Sequence, residues 1–177
     1  MNFDHSSIIA YWKENLIQYK NPLIGLKHEF PTELKDFLAE VGLPNRETLL
    51  IRFVSAFYWL DSDNSTLRNR YLILAEEDLF SDICIDTKAN YEIVQITRKD
   101  RERRFLNSSL QQFILSLTEY EKTQDLRIGE NNELLDSDEN IRLVGVLESK
   151  LSAIDEKIKT SGHFWPLVIE QMEMEQL

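Results

Sequence analysis

The chain has little with which to perform covalent or redox chemistry. Its 177 residues include one cysteine, Cys84, and three histidines, His5, His28 and His163. A lone cysteine can close no internal disulfide and build no multi-cysteine metal site. The histidines fall in three different predicted segments, and none has a nucleophile beside it in an elbow motif. His28-Glu29 lacks the second histidine of a zinc-protease helix, and no glycine-rich phosphate loop occurs. Uninterrupted apolar runs are short as well, and none approaches the roughly 20 residues that span a bilayer. The amino terminus, MNFDHSSIIAYWKEN, has no basic region ahead of an apolar stretch. These absences predict no catalytic residue, no metal, no cofactor and no membrane span, in a chain that stays in a reducing cytoplasm. On that ground the two sequons, at Asn64 and Asn107, are expected to be accidental.

Excess positive charge is missing too. The formal net charge is −11, and nucleic-acid affinity draws on cationic side chains that release counterions, so DNA and RNA are not expected as direct partners. The charge is uneven: Tyr91 to Thr118 carries five basic and three acidic residues, Glu119 to Lys157 five basic and eleven acidic. The basic run RKDRERR, Arg98 to Arg104, reads as a solvated hairpin edge that discourages strand addition. The acidic triplet Glu76-Glu77-Asp78 lacks the alternating oxygen donors and glycine of a calcium loop and reads as a solvated turn.

Hydrophobic residues make up 42% of the chain and charged residues 29%, ordinary globular usage, and the length suits one domain over 1–177. Ile8, Ile9, Trp12 and Leu16 form a stripe on a first helix, with Asp4 as its cap, ending before Asn21-Pro22. In FPTELKDFLAEVGLP a second helix starts at Pro31-Thr32, buries Leu34, Phe37, Leu38 and Val41, and stops at Gly42 and Pro44. Leu49 to Leu60 reads as a well-buried strand, followed by a polar loop, DSDNSTLRN. Strands are expected at Tyr71 to Ala75, Ser81 to Thr87 and Tyr91 to Thr97, with a fifth ending at Phe105-Leu106. Strands this close, without helices between them, imply an antiparallel meander. Asn90 suits the left-handed position of a hairpin.

Leu110, Phe113, Ile114 and Leu117 lie at i, i+3, i+4 and i+7, the spacing of a core-facing helix, and Ser108 with Gln111 has the form of a capping box at its start. Thr123 to Asp136 reads as a connector. Asp138 opens a helix carrying Ile141, Val144, Leu147 and Leu151, and Pro166 sits in the first turn of a last one with Phe164, Trp165, Val168 and Met172. Trp12 and Trp165 lie on apolar stripes and read as core, whereas Trp59, at the junction of a strand and the polar loop, is a candidate anchor for a partner.

The ordered set FPTELKDFLAEVGLP, YLILAEED, DICIDTKANYEIVQI, FLNSSLQQFILSLTEY and AIDEKIKTSGHFWPLVIEQME resembles the SUKH superfamily over about residues 30–175. That superfamily includes the fungal Smi/Knr regulators of cell-wall synthesis and bacterial immunity proteins of polymorphic toxin systems. The resemblance implies an α+β fold, a twisted antiparallel sheet of about five or six strands packed with N- and C-terminal helices. It implies no catalysis, and it implies a partner: a cognate protein toxin, with a basic nuclease among the candidates, bound and occluded. A regulatory adaptor for a cellular protein, like the fungal relatives, is the alternative. Family members place glycines in the turns of the meander; this chain has none from Asp61 to Thr118. An acidic surface complements a basic enzyme, so the expected contact surface is the loop edge around Asp61, Asp63, Glu76, Glu77 and Asp78, with Trp59 as its apolar anchor. The oligomeric state is not legible.

Overall fold

The computed structural model describes residues 5–20, 23, 25–60, 68–128 and 136–174. Helix α1 (Ser6–Trp12) and a short 3-10 turn lead into β1 (Leu16–Ile17), followed by α2 (Thr32–Glu40) and β2 (Leu43–Pro44). The meander comes next: β3 (Ile51–Trp59), β4 (Tyr71–Glu77), β5 (Ser81–Asp86), β6 (Glu92–Thr97) and β7 (Arg103–Asn107). Helices α3 (Leu110–Arg127), α4 (Ser137–Ile154) and α5 (Phe164–Met174) complete the order. The five strands pair antiparallel in sequence order, so β3 and β7 are the edges, and β1 pairs with β2 in a separate two-stranded ribbon. The architecture is the α+β arrangement that the SUKH resemblance implied, and the meander is the one expected from the strand spacing.

The main core joins one sheet face to the helices. Leu72, Leu74, Ile83, Ile85 and Ile93 meet Trp12, Phe37, Phe113, Leu117, Leu147 and Trp165, all of them buried. Both buried indoles have acceptors for their N–H groups, as burial of a polar atom requires. Trp12 Nε1 donates to Thr118 Oγ1 (2.9 Å) and Trp165 Nε1 to Asn107 Oδ1 (2.9 Å). Asn107 in turn donates to Ser116 Oγ (3.2 Å) and is fully buried, which leaves no room for a glycan on that sequon. Asn64 lies outside the described residues. On the opposite sheet face Tyr71, Ile73, Cys84, Val94 and Ile96 make a smaller cluster.

Several boundaries differ from the sequence-based expectation. The first helix ends at Trp12, where Lys13 takes φ 47°, and Leu16 serves in β1 instead of on the helix stripe; Ile9 is exposed. Asp4 lies outside the described residues, and His5 stands at the N-cap position. Gly42 has φ +89°, and a Cβ there would meet Ile17 O at 2.2 Å, so the ribbon needs glycine at this crossing. The cap of α3 is Ser109, paired with Gln112, one residue later than Ser108 and Gln111. Ser108 is held elsewhere: its N–H donates to Asp155 Oδ2 (2.6 Å) and its hydroxyl to Oδ1 (3.2 Å). Helix α3 continues to Arg127, which is buried against Asn140 Oδ1 (2.6 Å), so the connector starts later than Thr123. Asp136, not Asp138, caps α4, and Ile141 on that helix is exposed. Strand β3 is an edge in which only Ile51 and Phe57 are buried, with an irregular register between Phe53 and Tyr58, not a well-buried strand.

Candidate partner-binding surface

The residues expected to form one binding edge do not come together. Trp59 pairs with Leu72 and Arg52 with Glu76, so the tryptophan and the acidic triplet lie toward opposite ends of the β3–β4 ribbon. At about 3.3 Å per residue the separation along the strand is roughly 13 Å. Trp59 is half-buried, stacks on Phe30 (6.3 Å between centroids), touches His28 edge-on (5.7 Å) and donates its N–H to Leu26 O (3.3 Å). Its packing already accounts for it. Asp61 and Asp63 lie outside the described residues.

The acidic triplet is not a solvated turn. Glu76 and Glu77 are the last two residues of β4, and strand alternation sends them to opposite faces. Glu76 faces away from the helices, within 3.0 Å of Arg52 and 4.0 Å of Arg98, and Tyr58 Oη reaches it at 3.5 Å. Arg98 also binds the buried Asp82 at 2.7 Å. Burial, followed by the charge of Glu76, raises the Tyr58 phenol above its ordinary value. Glu77 points toward the helix side and is half-buried, accepting a hydrogen bond from Gln95 Nε2, while Arg104 Nη1 donates to Gln95 Oε1 (3.0 Å). Burial pushes the Glu77 carboxyl up, against the opposing effects of the Gln95 bond and the Arg104 charge. Only Asp78 occupies the turn, with φ 51° and its N–H donating to Leu50 O (3.2 Å).

Apolar side chains stand at the same end of the sheet. Leu50, Leu79 and Phe80 are 61%, 76% and 70% exposed. Leu79 and Phe80 form the connection from β4 to β5, held by the Arg98 N–H donating to Phe80 O (2.8 Å). Leu50 comes from a tight turn in which Thr48 and Ile51 exchange backbone hydrogen bonds (3.2 and 2.8 Å). Both central residues of that turn, Leu49 and Leu50, have positive φ, 51° and 60°. A two-residue turn of this kind favours Asn-Gly, and left-handed backbone costs an ordinary residue roughly 1–2 kcal/mol. A cleft of about 190 Å³ lies among Glu47, Leu50, Arg52, Glu76, Asp78 and Leu79. Sequence reasoning missed Leu50, Leu79 and Phe80. Their signal was the apolar pairs LL and LF at positions where a strand begins or turns and polar residues are usual.

The basic run Arg98 to Arg104 leads from β6 into the edge strand β7, and two of its arginines are ion-paired: Arg98 with Asp82, and Arg103 with Asp86 (3.2 Å) and Glu92 (2.6 Å). Among the described residues no group of three His, Cys, Asp or Glu side chains could hold a metal ion. The three histidines stay apart, His5 against Phe37, His28 near Tyr91 and His163 near Lys157 O. Cys84 is buried, and burial pushes its thiol far up, so it stays protonated. No helix among the described residues is long and apolar enough to cross a membrane.

The α+β fold, an antiparallel meander packed with helices, is consistent with a SUKH-type protein. Within that superfamily the chain belongs to the SUKH-4 immunity protein family, whose model matches residues 27–171. No curated protein and no solved structure matches the chain.

Proposed function

We propose that this chain is a single-domain cytoplasmic immunity protein that binds a cognate toxin stoichiometrically, occludes it and has no turnover of its own. Membership of the SUKH-4 immunity family supports toxin immunity. The observation that carries the surface is the exposed set Leu50, Leu79 and Phe80, beside a rim of Glu47, Asp78 and the Arg52–Glu76 ion pair. Exposed aromatic and aliphatic anchors inside a charged rim are the anatomy of a protein interface. The proposed surface keeps Glu76 and Asp78 of the acidic edge, leaves out Glu77, which faces the helix side, and replaces Trp59 with Leu79 and Phe80. The net charge of −11 suits a basic toxin, a nuclease included, because complementary fields raise association rates and an acidic protein competes for a cationic cleft.

The test is co-expression with each neighbouring open reading frame, scoring growth rescue and co-purification at one-to-one stoichiometry. Rescue with co-purification is the expected result. Rescue by catalytic amounts of the chain, or no toxic neighbour and capture of a cellular protein instead, would replace immunity by occlusion with another reading.

A further inference from the structure

The connection from β4 to β5 sends its two apolar side chains largely into solvent, where they cannot fix its shape. Its backbone is held instead by one residue of the neighbouring hairpin. The Arg98 N–H donates to Phe80 O (2.8 Å), one rung beyond the Ser81–Thr97 pair that ends the β5–β6 ladder. The side chain of the same residue then turns back along the connection. Its Nη1 donates to Leu79 O (3.4 Å), while Nε and Nη2 both donate to Asp82 Oδ1 (3.1 and 2.7 Å). Asp82 is buried on β5 just past the turn, so the guanidinium is anchored in the sheet. A planar guanidinium serves a carbonyl and a carboxylate at once, whereas an ammonium is a point donor on a flexible stem. A second arginine at this end, Arg52, ion-pairs with Glu76 (3.0 Å), and among the described residues no hydrogen bond links it to Leu79 or Phe80.

Taking the Leu79 and Phe80 tip as the toxin-binding surface, we infer that Arg98 is its positioning residue. It sets the backbone of the connection so that both side chains stand ready to dock, without being the anchor that the partner grips. Side chains this exposed would otherwise be ordered only on binding, and ordering a segment at that moment lowers affinity. A free chain that holds the docking geometry for only a fraction of the time has its apparent affinity reduced by that fraction. In the sequence Arg98 is merely the head of a basic run; its role depends on Asp82, which strand pairing brings alongside.

The test begins with the intact chain alone. Arg98→Lys keeps the backbone N–H and the charge but loses the fork. By NMR relaxation the order parameters of the Leu79 and Phe80 amides should fall from about 0.85, that of rigid backbone, to below about 0.6, with Ile83 and Ile85 unchanged. Arg52→Lys is the matched control and should leave the tip as it is. Asp82→Asn keeps Arg98 but withdraws the charge that its guanidinium holds, and should loosen the same two amides. Against the toxin that co-purifies in the co-expression experiment, Arg98→Lys should bind about tenfold more weakly, with the loss in the association rate and dissociation within about twofold of wild type; loss of a direct contact would instead speed dissociation. Unchanged tip order in both Arg98→Lys and Asp82→Asn, loosening that spreads to Ile83 and Ile85, or a loss of affinity confined to dissociation overturns the inference. A toxin that binds Phe80→Ala as tightly as wild type removes the tip from the interface and refutes the reading beneath the inference. One that loses Phe80→Ala but keeps Arg98→Lys at full affinity leaves that reading standing and overturns the role of Arg98 alone.

Discussion

Strand β5 is bounded by two turns of opposite construction. At its C-terminal end, Asp86 is fully buried and accepts from Arg70 Nε and Nη2 (2.9 and 2.8 Å), from Arg103 (3.2 Å) and from the Lys88 N–H (3.2 Å). Its backbone carbonyl takes the Ala89 and Tyr91 N–H groups (both 3.1 Å), and Tyr91 Oη reaches across to Glu29 O (3.1 Å). At the other end, Leu79 and Phe80 project into solvent and only their backbone is held. One turn is consumed by the fold. The other presents side chains for which the fold has no use, and that contrast separates a surface that builds the sheet from one available to a partner.

The largest expected effect breaks the first turn. Asp86→Ala leaves two arginines facing a vacated buried site and should cost about 3 kcal/mol, the low end for a disrupted buried pair because both arginines are partly exposed. For a chain of this length that is a fall of about 6–12 °C in Tm, read by calorimetry. An unchanged Tm would erase the distinction between the turns. Next, Phe80→Ala should leave stability within about 0.5 kcal/mol, as expected for an exposed side chain, while reducing affinity for the cognate toxin by tenfold or more, as loss of an interface anchor does. A large drop in Tm with affinity intact would show that the tip belongs to the fold after all.

A smaller effect of opposite sign is expected at Leu49-Leu50. Replacing the pair with Asn-Gly relieves two left-handed leucines and should stabilise the chain by about 1 kcal/mol in urea melts, after the lost packing of Leu49 is subtracted. The same variant should bind the partner less well. Destabilisation would mean that the two leucines are held for core packing alone.

The smallest effect is the response to acid, which differs in sign between the two ends of the sheet. Burial pushes the Asp86 carboxyl up, but Arg70, the Lys88 N–H and Arg103 together outweigh it and hold it below the ordinary value. Its unfolded form therefore binds the proton first. Its contribution is complete above the usual carboxylate pKa of about 4 and is lost as pH falls through the lower folded value. Glu77 is raised, so its contribution is present below the unfolded value and lost as pH rises through the folded one. Glu77→Gln should accordingly be more stable relative to wild type at pH 7 than at pH 3, and Asp86→Asn the reverse. Chemical melts at the two pH values compare them.

The parts legible in the sequence were those governed by local periodicity. Leu110, Phe113, Ile114 and Leu117 are all buried on α3 because a helix stripe has one way to meet a sheet, and the meander followed from strands too close to hold crossovers. What failed was decided at a distance. Ser108 and Ser109 are interchangeable as caps by local chemistry; Asp155, from beyond the end of α4, claims the first and leaves the cap to the second. Glu76-Glu77 resembles a turn until Arg52 from β3 and Gln95 from β6 arrive. Leu79 and Phe80 stayed hidden because an apolar residue in a sequence is assigned to a core by default, and exposure is a property of the assembled sheet.

The solitary thiol has a practical consequence. Cys84 lies fully buried on the middle strand of the sheet and stays protonated, so an alkylating reagent reaches it when the sheet opens. The native chain thus carries its own clock for opening, readable by mass spectrometry as the slow gain of one label. A cysteine placed at Phe80 would react at once beside that silent background, giving a fluorophore at the tip without removal of the natural residue.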